Sequence, residues 1–363
     1  MNALRTLAGA ALLAACLPAT AATPRYTVTD LGTYAAWGLL GEGMDINEAG
    51  QVLGSVTYNG GSREGFIWEA GTLKSLGAFV GYGMNNAGQV VGYDTNTGHP
   101  SLYANGTVTD ISPAGGSYGM GFGINNQGQA TGLWSTSATY QGFLYNPGSG
   151  SVDLGNLGAA GNDTYGAAIN DAGQIVGLSN TLAGDTRAFV YQDGHMTNLG
   201  TLAGGNRSGA ADISENGLIV GSSSVDFFHE HAFLYVNGEM KDLGVLNSSV
   251  PELGVGDSSY ANGVNNVGQV VGFSWYQRGL RHAFLYSDGE MHDLNSLIDP
   301  ASGWTIIAAN AINERGDIAA YGCDLNNACT GVLLTAQAVP EPGSWALMLA
   351  GLGLAGWMHR RRQ

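Results

Sequence analysis

Residues 229–231 bring together two histidines and a glutamate, side chains that could bind a metal ion. In a β-strand, residues two apart point to the same side, so His229 and His231 would share one face. However, related phrases recur at 64–77, 141–155, 187–200, 229–244 and 281–295. His231 and His282 occupy the same frame of this phrase, and a repeated position is typical of a structural role. The histidines are therefore interpreted as part of a repeat, and no metal site or cofactor is predicted.

Two further segments match a catalytic or a cofactor-binding motif in sequence but lack the secondary structure that the motif requires. Residues 115–119 (GGSYG) fit the G-x-S-x-G nucleophile elbow, but no helical pattern follows them. Residues 351–356 (GLGLAG) fit a dinucleotide-binding loop, but they lie in an apolar tail with no strand before them. A pair of carboxylates brought together by folding stays open as an alternative, although no pair stands out by spacing. The chain is predicted to be non-catalytic.

A second phrase, an Asn-x-x-Gly turn followed by a short apolar strand, alternates with the first. Its turn glycines are Gly50, Gly88, Gly128, Gly173, Gly217, Gly268 and Gly316. Their spacings of 38, 40, 45, 44, 51 and 48 residues are those of a four-stranded propeller blade. Each unit divides into a Gly- and Ala-rich strand, a QVVG strand, a HAFLY strand and, after an Asp-Gly or Asn-Gly hairpin turn, an MKDLG strand. The sequence therefore predicts an all-β, seven-bladed β-propeller over residues 26–335, with the slim first strands at the axis.

The two ends of the repeat region complement each other. Residues 26–32 (YTVTDLG) read as a fourth strand with nothing before it, whereas the last unit has no fourth strand. The N-terminal strand is predicted to complete the last blade and close the ring. The repeated turn asparagines are interpreted as turn caps, and a ring of amides around one end is the alternative. These asparagines are Asn47, Asn85, Asn125, Asn170, Asn265 and Asn313.

The repeats resemble the HAF family of extracellular repeat proteins, named for the His-Ala-Phe phrase found here at 231–233 and 282–284. The resemblance spans residues 26–335. It implies an extracellular location and adds little biochemistry, because the family has no agreed activity.

The first 22 residues are predicted to be a signal peptide. Arg5 supplies a positive start, an apolar stretch follows, and residues 19–21 (ATA) offer a small-residue cleavage site. Alternatively, residues 13–16 (LAAC) form a lipobox that would leave Cys16 lipidated. Either route exports the chain.

The other end combines a linker at 336–343 with an apolar span and basic tail at 344–363. Pro340, Glu341 and Pro342 stand before the span, and Arg360, Arg361 and Arg362 follow it. This arrangement resembles the PEP-CTERM sorting signal of Gram-negative bacteria. The resemblance implies processing by an exosortase, transient anchoring in the inner membrane by a transmembrane helix, and delivery to the cell surface or medium. An ordinary single-span anchor is the alternative.

Charge and cysteine content fit an exported body. Removing Arg5, Arg360–Arg362 and Glu341 with the ends leaves nine basic and 28 acidic residues, a net charge of −19. Such a surface repels nucleic acid and anionic membranes, so membrane contact is predicted only through the tail. The body's two cysteines, Cys323 and Cys329, are predicted to form a disulfide in an oxidising compartment.

Unrepeated aromatic and charged residues mark one face of the predicted ring. In a blade of alternating strands, the variable second-to-third and fourth-to-first connections share one end. The predicted ligand-binding residues there are Trp134, Tyr140, Phe227, Phe228, Glu230, Trp275, Tyr276, Arg278 and Trp304. Aromatic platforms with nearby polar groups hold sugars or other proteins. The sequence thus predicts a surface or matrix protein that binds exopolysaccharide or protein, with an exported glycan lyase or glycosidase as the alternative.

Overall fold

The computed structural model describes residues 25–32, 38–58, 61–116, 118–135, 139–158, 163–246, 258–276 and 280–337, with side chains for all but 38–44 and 276. Tyr26–Ala336 make up one compact unit. The predicted signal peptide, sorting tail and Arg278 lie outside the described residues. Within those ranges, no helix is both long and apolar enough to cross a bilayer.

The described strands form seven four-stranded sheets, the blades of a propeller. Blade 1 contains β2 (Gly38–Ile46), β3 (Val52–Tyr58), β4 (Arg63–Glu69) and β5 (Thr72–Ser75). Blade 2 contains β6 (Phe79–Met84), β7 (Val90–Asp94), β8 (Pro100–Ala104) and β9 (Thr107–Asp110). Blade 3 contains β10 (Tyr118–Ile124), β11 (Ala130–Ser135), β12 (Tyr140–Asn146) and β13 (Gly150–Asp153).

The remaining blades follow in chain order. Blade 4 contains β14 (Thr164–Ile169), β15 (Ile175–Asn180), β16 (Thr186–Gln192) and β17 (His195–Asn198). Blade 5 contains β18 (Ser208–Ile213), β19 (Ile219–Ser224), β20 (Glu230–Val236) and β21 (Glu239–Asp242). Blade 6 contains β22 (Ser259–Val264), β23 (Val270–Tyr276), β24 (Leu280–Ser287) and β25 (Glu290–Asp293). Blade 7 contains β26 (Thr305–Ile312), β27 (Ile318–Cys323) and β28 (Cys329–Gln337), together with β1 (Arg25–Asp30). Two single-turn 3-10 helices, Leu294–Ser296 and Pro300–Ser302, connect blades 6 and 7.

The N-terminal strand closes the ring, as the sequence predicted. The strand order in blade 7 is β1-β28-β27-β26, so β1 is the outermost strand of the last blade. Tyr26 and Leu31 are buried, and the backbone N–H of Leu31 donates to the carbonyl of Gly331. Closure covers the edge that β28 would otherwise present to other chains.

Local sequence explains the regular hairpins between third and fourth strands. At Asn105-Gly106, Asp193-Gly194 and Asn237-Gly238, both residues have positive φ. A type I′ turn requires this conformation, and its twist matches that of the strands it joins. The Asp-Gly and Asn-Gly pairs therefore fix the register of the outer strands.

The hydrophobic core lies between adjacent blades. Phe233 of β20, which is fully buried, packs in one cluster with Val176 and Ala188 of the preceding blade. Phe143, Phe189 and Phe284 occupy the same frame in their own blades and are also fully buried. Each blade thus covers one face of the next.

The turn asparagines form a belt of hydrogen bonds that runs from blade to blade. The Oδ1 atom of Asn125 accepts from the backbone N–H groups of Gln127 and Gln129, which caps its own turn. Its Nδ2 atom donates to the carbonyl of Asn170 in the next blade at 3.0 Å. Equivalent donations run from Asn47, Asn85, Asn170, Asn265 and Asn313, the last of which reaches back to Asn47. The two sequence interpretations, turn cap and amide ring, are therefore both present.

Blade 5 has Ser214 where the other blades have asparagine. Its hydroxyl accepts from the backbone N–H of Leu218, so the turn remains capped. A serine has no second donor that reaches the next blade. Asn216 supplies the missing link instead, with its Nδ2 atom donating to the carbonyl of Asn266 at 2.8 Å.

A disulfide joins Cys323 and Cys329 across the hairpin between β27 and β28. With a sequence separation of six residues, the loop-entropy relation gives a stabilisation of about 2–3 kcal/mol. We expect the exported protein to gain two mass units on reduction and to unfold at lower temperature. Intact-mass analysis with and without reductant measures the first effect, and two free thiols before reduction would contradict the bond.

Candidate functional site

The strand order defines two different ends of the propeller. The first-to-second turns are four-residue Asn-x-x-Gly turns, with serine in place of asparagine in blade 5. The second-to-third and fourth-to-first connections lie at the opposite end and vary in length. We call that second end the loop-rich face. Function is often carried on variable loops held by a rigid scaffold.

Exposed apolar side chains are concentrated on the loop-rich face. The exposed large apolar residues at this end are Tyr118, Tyr140, Leu182, Phe227, Phe228, Leu280 and Leu325. Phe227 and Phe228 are 79% and 82% exposed, and their rings contact each other edge to face with centroids 5.0 Å apart. Exposed apolar side chains grouped in this way mark binding surfaces more often than scattered ones do.

The structure corrects the prediction for Trp134. This residue is only 8% exposed and packs in the core with Val91, Ile111 and Phe143. The reason is that β11 continues to Ser135, so Trp134 pairs with Gly119 and Gln141 inside the sheet instead of lying in a loop. An indole in that position is not available to stack on a ligand.

The other predicted aromatic residues have different environments. Tyr140 is exposed and lies against Tyr165, with ring centroids 5.9 Å apart. Trp275 is half-buried, and the Arg281 guanidinium lies over its ring at 5.9 Å. Trp304 is half-buried and packs on the core of blade 7. The side chain of Tyr276 and all of Arg278 are outside the described residues.

Glu230 belongs to a polar cluster between blades 5 and 6. Its carboxylate lies 3.5 Å from the Arg207 guanidinium and hydrogen bonds to Tyr260. Burial raises the pKa of Tyr260, and the neighbouring Glu230 charge adds to that effect. The Tyr260 ring stacks on Phe273 at 5.0 Å, and Arg281 lies over Phe273 at 5.3 Å. Glu230 is therefore already paired within the protein.

The histidines of the repeat pair with aspartates of the neighbouring strand. The Nδ1 atom of His231 lies 2.9 Å from Asp242, and that of His282 lies 2.7 Å from Asp293. His99 and Asp110 make the same contact in blade 2. Within the described ranges, no group of three or more His, Cys, Asp or Glu side chains is arranged to hold a metal ion.

A cavity of about 560 Å³ runs along the propeller axis. Its wall contains the innermost strands, which contact one another around the ring. On β14 the lining extends from Tyr165 near the start of the strand to Ile169 at its end. Aromatic side chains from blades 2 to 4 form one part of the wall; they are Tyr82, Phe122 and Tyr165. Asn262 and Asn310 face the cavity from blades 6 and 7.

A β-bulge in every innermost strand shapes this wall. In β10 the register shifts between Gly121 and Gly123, which leaves Phe122 as the extra residue. The same shift leaves Tyr82, Ala167, Ala211, Asn262 and Asn310 as the extra residues of their strands. Bulges re-aim side chains, and each of these residues lines the cavity.

Two aspartates line the same cavity at equivalent positions of blades 1 and 5. Asp45 accepts hydrogen bonds from the backbone N–H groups of Ile46 and, in the next blade, Met84. Asp212 likewise accepts from Ile213 and, in the next blade, Val264. Burial raises the pKa of Asp45 to about 7 and that of Asp212 to about 6, although these hydrogen bonds act to lower both values. The Asp212 charge also raises the pKa of Asp45, so the two carboxylates interact electrostatically.

The C-terminal residues carry a recognised sorting signal. Residues 338–363 match the PEP-CTERM protein-sorting motif. The motif implies an exported protein that is sorted by an exosortase. None of the curated proteins matches the chain.

Three solved structures with similar folds are distant from this chain in sequence. The β-propeller domain of the Trilobed protease from Pyrococcus furiosus, which has an open velcro topology, is 10% identical, with a TM-score of 0.53 and coverage of 85% of this chain and 98% of that chain. The Pyrococcus horikoshii acylaminoacyl peptidase is 12% identical, with a TM-score of 0.53; the match covers 86% of this chain and 54%, about half, of that chain. A catalytically inactive virginiamycin B lyase from Staphylococcus aureus, solved with quinupristin, is 9% identical, with a TM-score of 0.51. The match covers 85% of this chain and 99% of that chain. At these identities the similarity establishes the propeller fold alone.

The two cavity aspartates predict an unusual pH dependence of stability. An unfolded chain has aspartate pKa values near 3.9, so the raised folded values favour the protonated form in the native state. Stability from these two groups is present at low pH and is lost as the pH rises through about 6–7. We expect the gap in melting temperature between the Asp45→Ala/Asp212→Ala variant and wild type to shift by a few degrees in favour of the variant between about pH 4.5 and pH 8. Thermal unfolding across this range tests it, and a gap that does not change with pH would contradict it.

Proposed function

We propose that the processed propeller is a non-catalytic surface or matrix protein that binds exopolysaccharide through its loop-rich face. The exposed Phe227–Phe228 pair on that face supports the proposal most strongly. Two large apolar rings in water cost free energy unless a ligand covers them, and sugar rings stack well on such faces. Tyr118 and Tyr140 add exposed phenol rings at the same end, with hydroxyl groups that can bond to sugars.

Charge narrows the class of polysaccharide. The processed body has a net charge of −19, which opposes a polyanionic chain and favours a neutral or basic one. Location at the surface of a Gram-negative cell and the HAF-type identity of the repeats remain part of this proposal. A surface protein bound at the same face is the alternative ligand.

A polysaccharide array tests this function directly. The processed exported protein is applied to neutral, amino and acidic polysaccharides at physiological salt. We expect binding to at least one neutral or amino polysaccharide and reduced binding by Phe228→Ala and Tyr140→Ala variants of unchanged melting temperature. Failure to bind any polysaccharide, with a folded protein, would contradict the proposal.

One observation favours a second candidate, an exported glycan lyase or glycosidase. Asp45 and Asp212 line one cavity, and their raised pKa values lie in the range that suits proton transfer near neutral pH. Release of reducing ends or unsaturated sugars from a bound polysaccharide would support this candidate. Loss of that release in Asp45→Ala and Asp212→Ala would assign it to the cavity.

A further inference from the structure

The two cavity aspartates depart from the pattern of their own repeat. Asp45 and Asp212 each lie two residues before the Asn or Ser that begins the turn. At this position the other five blades have glycine or alanine. Those residues are Gly83, Gly123, Ala168, Gly263 and Ala311. Ala168 and Ala311 lie in bulged strands with the same register shift as β2 and β18. The blade therefore folds without a carboxylate at this position.

The carboxylates are placed at a cost to stability. Burial makes their ionised forms unfavourable. The described residues that line the cavity include no lysine, arginine or histidine. Arg63 lies behind the wall, where it donates to the Tyr82 hydroxyl at 3.4 Å. The backbone hydrogen bonds to each carboxylate do not offset the effect of burial, since both pKa values remain raised. Residues that break a local rule at a cost to stability are expected at functional sites.

The rest of the wall favours a positively charged partner. Tyr82, Phe122 and Tyr165 present aromatic rings, which attract cations. Asn262 donates one N–H to the carbonyl of Ala309 and keeps its amide oxygen as an acceptor for an N–H donor. The volume of about 560 Å³ falls in the range of small-molecule sites. An anion would meet two carboxylates and no cationic side chain in the described part of this wall.

We propose that the axial cavity binds a ligand that carries protonated primary amines, with Asp45 and Asp212 pairing with its ammonium groups and the aromatic wall packing on its carbon chain. The two carboxylates belong to blades 1 and 5, which lie three blades apart by the shorter way around the ring. Both carboxylates line the same cavity, so a ligand with two or more ammonium groups can pair with both. Polyamines and amino-sugar oligomers share this chemistry. The site is independent of polysaccharide binding at the loop-rich face.

Ligand binding should be linked to proton release. Among the described side chains, the titratable groups around Asp45 and Asp212 are each other, Glu215, whose pKa the Asp212 charge raises, and the phenols of Tyr82 and Tyr165. An ammonium ion favours the ionised form of each carboxylate. Binding at pH 6.5 should therefore release protons to the buffer. The affinity for spermidine, whose amines stay protonated over the range, should rise by about tenfold or more between pH 5.5 and pH 8.

Calorimetry on the processed protein separates the outcomes. Spermidine is titrated at pH 8 and a fully deacetylated glucosamine tetramer at pH 6.5, where its amines are still largely protonated, with 1,8-octanediol and glucose oligomers as uncharged controls. We expect 1:1 binding of at least one amine and a loss of affinity of about tenfold or more in Asp45→Ala and in Asp212→Ala. Which amine binds identifies the source of the ligand. Titration in buffers of different ionisation enthalpy counts the protons released.

A matched variant controls for attraction to the acidic surface. Glu239 is exposed on the outer strand β21, so Glu239→Gln removes one charge away from the cavity and should leave the affinity within about twofold. The proposal is overturned if no amine binds, if the uncharged controls bind equally well, or if both aspartate variants bind as wild type does. Loss of polysaccharide binding in Phe228→Ala with amine binding intact would separate this site from the loop-rich face.

Discussion

A protein that lacks residues 23–32 should melt at least about 8 °C below the full propeller. The deletion removes β1, which buries Tyr26 and Leu31 and bonds to β28. Burial of these two side chains contributes about 3–6 kcal/mol, and the lost strand pairing adds to that. For a unit of this size, with an unfolding entropy of about 2.1 cal/mol/K per residue, 5 kcal/mol corresponds to about 8 °C. Differential scanning calorimetry measures the shift.

A synthetic peptide of residues 23–32 provides the control for this deletion. If β1 acts by completing blade 7, the peptide added in excess should bind the free edge of β28 and restore much of the melting temperature. The truncated protein without peptide should also associate through that edge, which size-exclusion chromatography detects. An unchanged melting temperature after deletion would contradict ring closure by β1.

Replacing one belt asparagine should have the largest effect of any single substitution at the turns. Asn125 is buried and makes four hydrogen bonds, two as an acceptor and two as a donor. Asn125→Ala leaves the N–H groups of Gln127 and Gln129 without their acceptor and breaks the link to Asn170. Buried groups left without partners cost about 1–3 kcal/mol each, so we expect a loss of about 3–5 kcal/mol in the free energy of unfolding by urea.

Serine at the same position separates the two roles of the belt. Blade 5 keeps its turn with Ser214, whose hydroxyl caps Leu218. Asn125→Ser should therefore retain the cap, lose the link to the next blade, and cost about 1–2 kcal/mol. Equal losses for alanine and serine would mean that the cap contributes nothing and that the blade-to-blade bond carries the whole effect.

The fold could be predicted from sequence because its determinants are local and repeated. The Asn-x-x-Gly and Asp-Gly turns fix where strands end, and seven copies fix how many blades there are. The strand at 26–32 indicated ring closure, because it has no unit of its own and only the last unit lacks a fourth strand. Turn capping by asparagine was also visible, whereas the donation from Asn125 to Asn170 spans 45 residues and depends on how blades stack.

The site was harder to predict because it depends on where strands end and where bulges fall. The sequence predicts a loop around Trp134, but β11 extends through this residue and the indole is buried. Asp45 and Asp212 were missed, since nothing in their spacing indicates that bulges turn both toward one axis. Alignment of the seven units against one another contains the missing signal, two carboxylates among five glycines and alanines.

The affinity of the processed protein for the polysaccharide that binds best tests the proposed function most directly. The Phe227→Ser/Phe228→Ser variant removes the exposed ring pair from the loop-rich face. Val108→Ser/Val152→Ser removes exposed apolar side chains from the outer strands β9 and β13, away from that face. We predict a loss of about thirtyfold or more for the first, equivalent to about 2 kcal/mol, and a change within about twofold for the second. Equal affinities for the two variants and wild type would contradict binding at the loop-rich face.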